Sequence, residues 1–213
     1  MNDSYGDARD KARTRTRRVI LNNDGGDLAK ANASEIEDPR DFLEVRTTPL
    51  IGSHVDTIFY STHGGFGTCN HNTRVGQVRQ NAGVAALIAK GTDPLEVMTD
   101  YGHEHGIEVF WSMRMNDTHD GSRPERFAAN RFKQENPDCL LGTPDERPKH
   151  GQWSAVDYGC EKMRALALAL VEEVCRNYDV DGIELDFFRH PVFFKTTAAG
   201  SQIGRASCRE RVY

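Results

Sequence analysis

The residues best suited to chemistry stand in one run, Asp181-Gly182-Ile183-Glu184-Leu185-Asp186-Phe187-Phe188-Arg189-His190-Pro191. Side chains of an extended segment alternate between its faces. Glu184, Asp186 and Phe188 therefore share one face, and Ile183, Leu185 and Phe187 the other. If the apolar set packs against helices, the two carboxylates turn to the opposite side. Carboxylates held there are costly unless they are hydrogen-bonded or put to use. Their use is proton transfer and nucleophilic attack, which makes Asp186 and Glu184 the catalytic candidates. A structural reading stays open beside it, with the acids paired to Arg189 or Arg114 to hold the fold.

A second polar group follows the run Ile107–Met115. Arg114, Asn116, Asp117 and His119 cluster there as binding residues or as loop anchors. His63 lies in a glycine-rich loop, Trp153 offers a ring for stacking, and Asn23 ends the first extended run. Arg189 and His190 complete the binding candidates. No cluster has metal-ligand spacing: His103 and His105 are two apart at a helix end, and His71 and His119 supply no His-x-His pattern. The residues call for no metal and no cofactor.

These residues need elements that bring them together. Four β-branched or aromatic runs read as strands, at 18–23, 55–61, 107–115 and 180–189, the first of them buried. Helices are expected at 39–45, with Asp38 as cap, from 93 to about 105, with Asp93 as cap, and at 161–177. A long loop is expected from 116 to about 152. Strands alternating with helices make an α/β fold with parallel strands. Each strand ends in polar residues, and in a parallel barrel all such ends lie on one face. Four strands are half of eight, so the expected fold class is a partial (β/α)8 TIM barrel carrying about the first four strands. A doubly wound sheet would want a glycine-rich phosphate loop after the first strand, and Asp24-Gly25-Gly26-Asp27 is a poor one.

The run Asp181–Pro191 resembles the fourth-strand motif of the glycoside hydrolase family ten-like proteins, and Phe110–Asp117 resembles their third strand. The resemblance spans roughly residues 18 to 195. It implies a barrel acting on a carbohydrate, with Asp186 as the strand-end acid and Glu184 as its deeper partner. Glycoside hydrolysis usually needs two carboxyl groups flanking the scissile bond. The resemblance therefore places a second acid on a later strand and leaves this chain inactive by itself. Two alternatives stand: a non-catalytic carbohydrate-binding barrel, and a metal-dependent barrel hydrolase of the deacetylase or amidohydrolase type.

Composition narrows the partners. The 213 residues are 38% hydrophobic and 28% charged, with a net charge of -5. That gives no basic footprint for nucleic acid. No apolar run reaches membrane-spanning length, and no leader precedes Arg18, which reads as cytoplasmic if the start is authentic. Oligomeric state is unreadable. Residues 1–17 are expected to be a disordered polar arm and 18–200 the half barrel. The tail 201–213 resembles a translated sequencing-library adapter and is set apart as non-native. The five cysteines form no C-x-x-C pair and are expected to be isolated thiols.

Overall fold

The computed structural model describes residues 10, 11, 14–29 and 36–200. The tail set apart at 201–213 and most of the arm expected at 1–17 lie outside the described residues. The chain divides into two compact units. The first comprises the described residues of Met1–Thr62 with Gln80–Ser112 and Val174–Glu184. The second comprises His63–Arg79, Met113–Glu173 and the described residues of Leu185–Tyr213.

A four-stranded sheet runs in the order β1 (Ile20–Asn23), β2 (Thr57–Tyr60), β5 (Glu108–Arg114), β6 (Gly182–Asp186). β1 pairs with β2 and β2 with β5, both in parallel. β6 also runs parallel to β5, because the Asp181 amide donates to Val109 and the Met115 amide to Asp186, so both sequences ascend together. Between the strands lie α1 (Ala82–Ala89), α2 (Pro94–Glu104), α3 (Pro124–Ala128), α4 (Arg131–Glu135) and α5 (Glu161–Asn177). Among the described residues no helix is long and apolar enough to cross a membrane.

In the first unit, strand alternation sorts the sheet into two faces. Ile58, Tyr60, Val109 and Trp111 share one face and are fully buried, together with Val84 and Leu87 of α1 and Leu95 and Met98 of α2. The Trp111 indole still finds a partner, donating to Thr62 Oγ1 at 2.8 Å. The other face carries Asn22, Phe59 and Phe110 in register, with the Phe59 and Phe110 rings 5.1 Å apart. Gly182 belongs to this face, since a β-carbon there would lie 2.3 Å from the Phe110 ring. Asn22 Nδ2 donates to Glu184 Oε2 at 3.3 Å across the same face. Three strand spacings of about 4.8 Å would hold β1 and β6 roughly 14 Å apart in a flat sheet. The bond therefore requires the sheet to curl, with Glu184 on its concave side, as in a barrel that has begun to close.

The second unit is built from loops and short helices. β3 (Thr68–Cys69) and β4 (Gln77–Val78) form a small parallel pair. Asn130 caps α4 through the Lys133 amide and donates to Phe66 O at 2.9 Å. Glu173 on α5 gathers the loop before β4, accepting from the Arg74 and Val75 amides and the Thr73 hydroxyl. Leu141, Ala155 and Ala198, the last on α6 (Lys195–Ala198), form a small core against Val192.

Several expectations need correction. β1 is no buried strand: Ile20 is 45% exposed. The helix expected at 39–45 is a 3-10 turn over Asp41–Val45, and Asp38 caps only the Arg40 amide. The long loop holds α3, α4 and a further 3-10 turn at Pro137–Cys139. The apolar side of β6 is not covered, since Leu185 is 47% exposed. Cys139 and Cys160 are not isolated thiols but a disulfide, because chain folding brings their Cα atoms to 5.5 Å. At the end of the expected arm, Arg17 forms a two-bond pair with Glu108, at 2.7 and 3.1 Å.

Candidate active site

The second unit gathers most of the sequence candidates at the carboxyl ends of strands. Asp186 ends β6 on the parity of Glu184. Its Oδ1 accepts the Phe188 amide at 2.9 Å, which fixes one carboxylate oxygen. Among the described residues Oδ2 has no hydrogen-bond partner. The Asp186 carbonyl binds the Met115 amide, so this acid is laced to the segment that carries the other polar group.

In that group Asp117 is the hub. It pairs with Arg114 Nη1 at 3.1 Å and accepts from the His119 ring at 2.8 Å and the His119 amide at 3.0 Å. Burial pushes its acidity the unfavourable way, but the His119 hydrogen bonds, with the charges of His119 and Arg114, outweigh it. The carboxyl is held well below the usual range and stays ionised. It is a fixed negative charge rather than a proton donor. His119 and His190 meet edge to face at 6.0 Å. His190 has a φ of 53, a conformation rare for side-chain-bearing residues and often found at functional sites. Burial lowers its pKa, partly offset by Asp117. Arg189 precedes it, half-buried.

His63 is fully buried. Gly67 N donates to Nε2 at 3.1 Å, so the proton sits on Nδ1, which donates to Arg114 O at 3.1 Å. Desolvation drives its pKa down to about 4. The neutral ring ties the loop after β2 to the end of β5, a positioning task.

Other candidates are occupied differently from the sequence expectation. Asn116 is buried; it accepts from the Val156 amide and donates to Val192 O. Trp153 is 6% exposed, packed on Phe127 and donating to Gly121 O, so it offers no open platform. In the first unit, Asn23 is buried and shapes its own turn through the Gly25 amide and Asp27, while Glu184 is held by Asn22.

No local sequence pattern marks Lys133. It is fully buried with its Nζ 2.6 Å from Asp120, whose other oxygen accepts from Ser154. A lysine in a short surface-type helix carries no periodic signal, and its partner comes from a loop 13 residues away. Among the described residues one triad has metal-ligand proximity, Asp138, Cys139 and Cys160. Its two sulfurs are joined to each other, so they are not thiolate ligands.

The fold is therefore α/β, a partial (β/α)8 barrel whose polar strand ends carry an aspartate on β6 and an Arg-Asp-His group after β5. Among solved structures the chain is similar to α-L-fucosidase isoenzyme 2 from Paenibacillus thiaminolyticus, at 19% identity and a TM-score of 0.53, over 81% of this chain and 23% of that one. It is also similar to the galactosidase domain of an α-galactosidase-sucrose kinase, at 13% identity and a TM-score of 0.49, over 93% and 25% of the two chains. A noncanonic maltogenic α-amylase from Thermotoga neapolitana matches at 15% identity and a TM-score of 0.46, over 78% and 38%. The chain thus spans about a quarter of the fucosidase's length. No family model and no curated protein sequence matches it.

Proposed function

We propose that this chain is the carbohydrate-binding half of a glycoside-hydrolase-type barrel, with Asp186 as the strand-end catalytic carboxylate. One observation carries the reading. Asp186 stands at the carboxyl end of a parallel strand, with one oxygen fixed by the Phe188 amide and the other without a hydrogen-bond partner among the described residues. That is the disposition of an acid that acts on something else. The fucosidase, whose fold this chain shares in part, makes a glycosidic substrate the natural choice.

Hydrolysis needs a second carboxyl group about 5 to 9.5 Å away. Asp117 does not supply it, since it is locked by Arg114 and His119, and Glu184, which accepts from Asn22 deeper along β6, is proposed as a supporting rather than a reacting acid. The chain alone is accordingly proposed to bind sugar without turnover, the second acid coming from further strands. Arg114, Arg189 and His190 would meet the sugar hydroxyls, and His63, Asn116 and Trp153 would hold the loops that present them.

A protonated iminosugar carries the charge that develops at the anomeric centre, so it reports on a carboxylate poised there. Titration calorimetry should show Asp186→Asn weakening an iminosugar by at least about tenfold, a shift of about 1.4 kcal/mol, with an unchanged melting temperature. Equal affinity in the two proteins removes Asp186 from the site. Measurable turnover of aryl glycosides by the chain alone would refute its proposed inactivity.

A further inference from the structure

Arg79 follows β4, and its amide donates to Cys69 O at 2.8 Å. Its guanidinium lies beside the loop after β2: a β-carbon on Gly64 would sit 3.4 Å from Nη1. Gly64 immediately follows His63, so this cation lies along a stretch of strand-end backbone that carries no side chain. Arg79 is half-buried. Among the described residues its guanidinium has no hydrogen-bond or ion-pair partner. Two cations of the unit with more deeply buried side chains are both satisfied, Arg114 by Asp117 and Lys133 by Asp120.

Its charged surroundings do not compensate it. Arg126, Arg114 and Arg123 all act on it with like charge, against the carboxylate of Asp117, which is already engaged by Arg114 and His119. Burial and the neighbouring arginines lower its pKa, yet an arginine starts so high that it stays charged. A partly desolvated cation among like charges costs stability, and an incoming anion would relieve that cost. The planar guanidinium fork matches a carboxylate or sulfate by paired hydrogen bonds.

We propose that Arg79 anchors a subsite for an anionic substituent of the carbohydrate, so that the preferred substrate is an acidic sugar bearing a carboxylate or a sulfate ester. This rests on the carbohydrate reading above. The guanidinium packs over the bare backbone at Gly64, and from there Arg79 would take the charged arm of the sugar.

Calorimetry on the purified chain with methyl glucuronide, methyl glucoside and inorganic sulfate tests it. The glucuronide should bind at least about tenfold tighter than the glucoside. Arg79→Gln should abolish that preference while leaving glucoside affinity unchanged and without lowering the melting temperature, and Arg79→Lys should restore part of it. Equal affinity for the two sugars in the parent chain, or a preference that survives Arg79→Gln, overturns the subsite and leaves the hydrolase reading standing. Sulfate binding without affinity for either sugar means an adventitious anion only, and sinks the carbohydrate reading along with the subsite.

Discussion

At the scale of single residues, side chains of similar type have opposite tasks, and burial decides between them. His63 and His119 both follow strands. His63 is sealed and neutral, whereas His119 is partly exposed and donates to an ionised carboxylate. The pH dependence of stability should separate them. His63 titrates near 6.5 in an unfolded chain and near 4 when folded, so between those values the unfolded state binds the extra proton. Stability is full above about pH 6.5 and falls as pH drops toward 4, by up to about 3 kcal/mol. Asp117, held low, adds its loss only below about pH 4. Urea midpoints measured from pH 7 to 4 should therefore slope downward, and His63→Gln should flatten the slope; an unchanged slope would mean that His63 is not the buried titrating group. The site was only partly legible for the same reason. Asp186, Arg114, Asp117 and His190 could be picked out as polar residues at strand ends. Asn23 and Asn116 have the same signature, yet they pin loops, Asn23 its own turn and Asn116 segments 40 and 76 residues away in the chain.

At the scale of elements, what was legible is what announces itself locally. Asp93 caps α2 through the Leu95 and Glu96 amides, and α5 shows its apolar stripe. The all-apolar α1 has no polar face to reveal a period, and α3 and α4 are single turns fixed by contacts such as Asn130 with Phe66. The Cys139–Cys160 disulfide belongs to the same class, since no local spacing marks a pair 21 residues apart. It closes the segment between α4 and α5, most of which is neither helix nor strand. Closing a loop of that length removes denatured-state entropy worth about 3 kcal/mol. Cys139→Ser should lower the urea midpoint accordingly, and reduction of the parent chain with dithiothreitol should reproduce it. If the midpoint ignores both treatments, the bridge contributes nothing to the fold.

At the scale of the whole molecule, the sheet decides behaviour. Four parallel strands curl far enough for Asn22 to reach Glu184 but, among the described residues, leave β1 and β6 as edges. Parallel strands are normally covered on both faces. Here Ile20, Leu185, Phe187 and Phe188 remain exposed, Phe188 at 92%. An edge strand with apolar flanks invites pairing with another chain, and the energetic motive is ordinary: a fully buried phenylalanine is worth about 1.5–3 kcal/mol relative to an exposed one. The chain should therefore associate as concentration rises, through the β6 edge. Charging that edge with Leu185→Lys and Phe188→Lys should suppress the association without lowering the melting temperature, since neither side chain is packed in a core. Light scattering over a concentration series reads the result. A parent chain that stays monomeric across the series, or a doubly charged variant that associates as readily, would show that its apolar edge does not drive contact between copies.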